Sequence, residues 1–191
     1  MSYDLAFRNG STFDQFLEGT EVNRDMWLAL AGRSADITAA AERIAALPGR
    51  WRLLVLAEDW CGDAVNTLPV LVRLAETAGN IDVRIVGRDE HLDMMDRHLT
   101  GGSRSIPIVI LVDENGFARG WWGPRPAALQ EWFEREGRSL PKGDRYRELR
   151  RWYARDRGAT TAREIADLIS CAAGGDSSYA GTQPCATLRA A

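Results

Sequence analysis

The sequence predicts an α/β fold: a mixed sheet of about four strands flanked by helices, with extra helices at the N- and C-termini. Three observations carry this. From residue 51 the order of elements reads strand, helix, strand, helix, strand, strand, helix. The strand-helix-strand opening implies parallel pairing. "DENG", residues 113–116, stands between two apolar runs and marks a tight antiparallel hairpin.

The elements follow in order. The first fifty residues read as helices. Ser11 or Thr12 can cap a short helix carrying Phe13, Phe16 and Leu17. Val22, Met26, Ala29 and Leu30 recur at helical spacing. Asp36 caps a further segment with Ile37, Ala40, Ile44 and Leu47 on one face, stopped by Pro48 and Gly49. RLLVLA, residues 52–57, is a short apolar run and reads as a strand buried on both faces. After it, Val65, Leu68, Val72 and Ala75 share a helical face. Pro69 should kink that helix by removing a backbone bond, and Gly79 ends it. IDVRIV, residues 81–86, is a second strand. EHLDMMDRHL, residues 90–99, predicts a short helix ahead of Gly101 and Gly102.

IPIVILV, residues 106–112, is the most apolar strand, and FARGWW, residues 117–122, is its hairpin partner. Alternation puts one of Trp121 and Trp122 inward and the other outward. Pro126 opens a helix with Leu129, Trp132 and Phe133 inward. Asp144 starts another, rich in arginine, with Leu149, Trp152 and Tyr153. Its arginines predict a solvated face with local ion pairs. Thr161 and Glu164 form a capping box for a last helix through Ile165, Leu168 and Ile169. The expected organisation is a helical extension over 1–49, a core over 50–137, C-terminal helices packed on it over 138–173, and a disordered tail over 174–191.

Composition narrows the function. The 191 residues, 45% hydrophobic and 27% charged, suit a globular protein. A net charge of −3 favours neither nucleic acid nor an anionic membrane as partner. No apolar run is long enough to span a bilayer, and MSYDLAFRNG lacks the pattern of a secretory signal, so a cytoplasmic location is expected. Cys61, Cys171 and Cys185 are too few and too scattered for a disulfide scaffold. No metal spacing is present, and His91 and His98 read as two solvated helix residues.

Cys61 sits where a buried strand gives way to a helix, in AEDWCGDAVNTLP, residues 57–69. Helix-start N–H groups favour a thiolate, the nucleophilic form. Glu58, Asp59 and Asp63 oppose it. Which side prevails is open at this level.

Trp60-Cys61-Gly62, with Pro69 eight residues after the cysteine, resembles the thioredoxin superfamily. Ser105-Ile106-Pro107 is similar to its cis-proline loop, and Gly123 to its third active-surface loop. The resemblance covers roughly residues 50–137. "EDWCGDA" and "WGPRP" look closer to a bacterial thioredoxin-like subfamily with a helical N-terminal extension. The resemblance implies a surface sulfur at Cys61 and a proline opposite it, with the backbone before Pro107 pairing with substrate. Trp60 and Gly62 would shape the site. Arg125 would either contact the carboxylate of a small thiol or cap a strand end.

Departures from the family bear on activity. Ala64 replaces the resolving cysteine, Val55 a buried acid, Asp63 the usual proline, and Ile108 a common threonine. Exchange runs through a mixed disulfide, which Ala64 cannot resolve. Three outcomes stay open. An external low-molecular-weight thiol acts as co-substrate, making a monothiol thiol-disulfide oxidoreductase that acts on protein or mixed disulfides. Cys171 or Cys185 resolves the bond from a folded-back C-terminus. Or the domain is a redox-inactive protein-binding module. No other cofactor is expected.

Overall fold

The structure is a computed structural model and describes residues 3–31 and 37–174. Asp36, Cys185 and all but the first residue of the expected tail lie outside these. The elements are α1 (Tyr3–Asn9), α2 (Phe13–Glu18), α3 (Arg24–Ala31), α4 (Thr38–Ala45), β1 (Trp51–Ala57), α5 (Gly62–Ala78), β2 (Ile81–Gly87), α6 (Leu92–Met95), β3 (Ile108–Val112), β4 (Ala118–Trp122), α7 (Ala127–Arg135), α8 (Lys142–Asp156) and α9 (Ala159–Ala172). The sheet order is β2-β1-β3-β4. β1 pairs parallel with β2 and antiparallel with β3, and β3–β4 is the hairpin. The chain is thus a mixed α/β protein with a four-stranded mixed sheet, as the sequence predicts.

The two inner strands explain why the sheet is covered on both sides. Every residue of β3 is buried, as are Leu53 to Ala57 of β1. Such strands need helices on each face. In register, Leu54, Ile110 and Trp121 line one face, and Val55, Val109 and Trp122 the other. On the first face Asp4 of α1 bonds Arg52, and His98 meets Trp121 edge-on. On the second, α9 reaches the end of β4 and packs with α4 and α5.

Several local expectations change. Trp121 and Trp122 are both buried, because helices cover both faces. His98 is not solvated: it is buried, bonds the Met94 carbonyl through Nδ1, and stacks edge-on with Tyr3. The helix expected over 90–99 shrinks to α6, a single turn. The capping box at Thr161 and Glu164 does not form. α9 begins two residues earlier, at Ala159, and its free amides meet Asp156, which accepts from Thr160 N at 3.1 Å. Glu164 instead lies inside the helix and accepts from Trp122 Nε1 at 2.6 Å and Ala127 N at 3.0 Å. That charge-assisted pair ties α9 to the loop after β4. Pro69 lies inside the continuous helix α5. α8 starts at Lys142, after Pro141.

The N-terminal helices brace the segment before Cys61. Thr12 caps α2 in a reciprocal box with Gln15. Trp27 of α3 is fully buried against Phe13 and Phe16 and donates from Nε1 to the Asp59 carbonyl at 2.9 Å. The Asp59 carboxylate accepts from Glu21 N and Val22 N at 2.9 and 2.8 Å. A second, smaller apolar cluster joins α7 and α8 through Leu129, Leu149 and Tyr153.

Candidate functional site

β1 and β2 are parallel, so their C-terminal ends open on the same edge, where α/β sheets commonly receive ligands. Cys61 follows β1 there as the N-cap of α5, with extended backbone. Asp59 is held by Val22 and by Trp27 of α3, and Glu58 accepts from Asp89 N at 3.0 Å, so both acids before the cysteine are engaged in fixing the turn. Trp60, between them and Cys61, remains 46% exposed beneath the Arg88 guanidinium, 4.9 Å from the ring centre.

Cys61 is only 7% exposed, against the surface placement that the resemblance implies. Its thiol donates to the Ile106 carbonyl at 3.3 Å, and Sγ accepts from Ala64 N at 3.5 Å. The Ile106–Pro107 peptide is cis, and so is Gly123–Pro124. Gly123 has φ +130°, and a Cβ there would stand 2.2 Å from the Pro107 carbonyl oxygen, so only glycine fits behind the proline. A Cβ on Gly62 would meet nothing within 4 Å, so packing makes no demand for glycine at that position.

Burial, first, and the Asp63 charge, second, push the Cys61 thiol up to about 11. The amides of Ala64 and Asp63 and the Arg125 charge pull the other way and lose. The competition left open by the sequence is therefore decided against the helix start. The sulfur rests as a protonated thiol at neutral pH.

Asp63 lies at the centre of a buried polar cluster. It pairs with Arg125 at 2.6 Å, each side chain 11% exposed, and accepts from the Tyr153 hydroxyl at 3.0 Å. Burial raises its carboxyl above the usual range, while Arg125 and Tyr153 hold it down. Burial and then the Asp63 charge push the Tyr153 phenol well above its ordinary value, so it stays a donor. Arg125 also donates to Gln130 at 2.9 Å and lies 4.1 Å over Phe133. Sequence reasoning found Asp63 and Arg125 but missed their bond, and it treated Tyr153 as an apolar anchor. The signal was the placement of a hydroxyl-bearing residue at an inward position of an arginine-rich helix.

Cys61, Asp63, Ile106 and Arg125 line one cleft of about 270 Å³, with Trp60 and Gly62 at its mouth. Pro107 and Gly123 are not among its lining residues; they pack against each other beside Ile106. Arg88, Arg104, and Arg145 and Tyr146 of α8 also line the cleft, and none of these was expected there. Val55, behind Cys61 on β1, is fully buried. Cys171 is buried on α9 and is not among the residues lining the cleft; Cys61 is the free thiol among the described residues. Among the same residues, no group of three or more His, Cys, Asp or Glu side chains gathers as a metal set, and no helix is long and apolar enough to cross a membrane.

A family model described as Thioredoxin matches residues 10–139. No curated protein matches the chain. Among solved structures, a protein of unknown function from Pseudomonas aeruginosa is 23% identical, with a TM-score of 0.66 over 89% of this chain and 96% of that one. An HIV epitope scaffold is 21% identical, with a TM-score of 0.59 over 91% of this chain and 96% of that one. At these identities the likeness is one of fold.

Proposed function

The chain belongs to the thioredoxin family, and on that premise we propose that it is a monothiol thiol-disulfide oxidoreductase acting through Cys61. One observation carries the reading. A free sulfur at a helix start lies 3.3 Å from the carbonyl that precedes a cis proline, on the wall of an open cleft. That carbonyl and its neighbours offer an extended backbone edge to a substrate, while the sulfur faces the bond to be broken.

In the first step the Cys61 thiol gives its proton to solvent base. The thiolate attacks one sulfur of a protein or mixed disulfide. A bond forms to Sγ as the substrate's S–S bond breaks, and the departing thiolate takes up a proton. Cys61 is oxidised and the departing sulfur is reduced. Ala64 offers no thiol for the second step. An external low-molecular-weight thiol attacks the mixed disulfide, leaves as the oxidised partner and returns Cys61 to the thiol. A reducing cytoplasm supplies such thiols.

The raised thiol pKa favours a second reading, a binding module without turnover, because a protonated sulfur attacks slowly. The two separate by intact-mass spectrometry after incubation with an oxidised low-molecular-weight thiol at pH 7 and pH 9.5. The first reading expects a Cys61 adduct that forms faster at the higher pH and is lost in Cys61→Ala. An unmodified Cys61 at both pH values leaves the binding module.

A further inference from the structure

The Cys61 cleft is far more basic than the protein that carries it. Arg88, Arg104, Arg125 and Arg145 line it, against the single carboxylate of Asp63, in a chain of net charge −3. The four guanidinium groups come from separate elements: the turn after β2, the segment before β3, the loop after β4, and α8. One solvated helix face does not produce such convergence.

Three of the four are already ion-paired, and Arg145 is the one whose donors stay uncommitted among the described residues. Arg125 is committed to Asp63 and Gln130, yet its Nε is buried without a hydrogen-bond partner. Arg104 grips Asp96 and Arg88 grips Asp89, and neither acid lines the cleft. Arg145 has no carboxylate partner among the described residues. It lies 5.9 Å from the ring centres of both Phe133 and Tyr146, so aromatic faces hold it in place without neutralising it. Arginine so placed recognises carboxylate and phosphate groups through two donors at once. The cleft, at about 270 Å³, lies near the lower end of the roughly 300–1,000 Å³ usual for small-molecule sites. Trp60 and Phe133 supply apolar walls for a carbon skeleton.

We infer that the external thiol of the exchange cycle is a small molecule bearing one or more acid groups, carboxylate or phosphate, which Arg145 and the arginines beside it hold with its sulfur turned to Cys61. This deepens the exchange reading and rests on it. The acid groups meet the guanidinium groups while the thiol attacks the Cys61 mixed disulfide. The same contacts hold its disulfide form during the reverse step. The sulfur redox balance is that given above, with the small acid thiol as reductant.

Three disulfides of similar size test it at pH 8.5 and low salt: 3,3′-dithiodipropionate, bis(2-hydroxyethyl) disulfide and cystamine. Each rate of Cys61 adduct formation is divided by that for 2-mercaptoethanol, which removes intrinsic reactivity. The dianion should react at least about tenfold faster than the neutral compound, and the dication slowest. That ratio should fall towards one in 1 M salt and in Arg145→Gln. A ratio near one in the wild-type protein, or a preference for cystamine, overturns the inference while leaving exchange standing. If none of the three forms an adduct, exchange fails, and titration of Cys61→Ser with 3,3′-dithiodipropionate decides alone. Saturable binding weakened at least about fivefold by adding Arg145→Gln supports the acid site; its absence overturns it.

Discussion

The Tyr153 hydroxyl donates to the Asp63 carboxylate at 3.0 Å across 90 residues of chain. Both groups are buried, and Arg125 closes the cluster from a third element. Helix α8 is thereby tied to the residue two positions after the candidate nucleophile. A change in α8 is felt at the sulfur through this link.

Tyr153→Phe removes the donor and keeps the ring. Asp63 then loses one of the bonds that hold its carboxyl down, and a buried acceptor goes unpaired. Stability should fall by about 1–3 kcal/mol in a urea titration. A midpoint equal to that of the wild type would mean the bond contributes nothing.

The pH dependence of Cys61 follows from its raised pKa. With the thiol at about 11, the rate of alkylation by iodoacetamide should climb about tenfold per pH unit between pH 8 and 10, without levelling. A plateau below pH 9 would contradict the protonated resting state. Stability carries the same signature. The folded thiol binds its proton more tightly than the unfolded one, so the contribution is complete below about pH 9. It is lost as pH rises towards 11, by about 3 kcal/mol over that interval. Cys61→Ala should flatten this part of the stability profile.

Asp63→Asn reverses one cause of the shift. It removes the carboxylate charge that raises the thiol and leaves the opposing Arg125 charge unanswered. Both changes favour the thiolate. Alkylation at pH 8 should accelerate about three- to tenfold, while stability falls by about 3–5 kcal/mol because a buried guanidinium loses its counter-ion. A slower reaction would show that Asp63 assists proton removal instead of resisting it.

Gly123→Ala places a methyl group 2.2 Å from the Pro107 carbonyl oxygen, on backbone at φ +130°. Both the clash and the conformation are unfavourable, and a loss of about 3 kcal/mol or more is expected in thermal or chemical unfolding. The companion variant Gly62→Ala, with open space around it, should unfold close to the wild type.

The sheet was legible because its signals are local. RLLVLA and IPIVILV are continuous apolar runs, and DENG carries the hairpin within four residues. The turn itself works as such signals suggest, with Asp113 accepting from Asn115 N and Phe117 N. Errors arose where a distant partner redirected a local preference. Thr161 and Glu164 have the spacing of a capping box, but Trp122 and Ala127 claim the carboxylate. His98 looked solvated until Tyr3 and Trp121 closed over it. At the site, each motif residue was visible one by one. The arrival of Arg145 and Tyr153 beside Cys61 was not, since nothing in a helix's own sequence says which wall of a cleft it will become.

A sulfur kept protonated by burial and by Asp63 also has a different relation to its surroundings. Peroxide converts thiolates to sulfenic acid, and higher oxidation follows irreversibly from there. A resting thiol pushed up to about 11 exposes almost no thiolate to that attack at neutral pH. Brief peroxide treatment should therefore leave the intact mass of the protein unchanged at Cys61, and under prolonged treatment Asp63→Asn should gain oxygen about three- to tenfold faster than the wild type. The burial and charge that keep Cys61 protonated make this cysteine durable under oxidative stress.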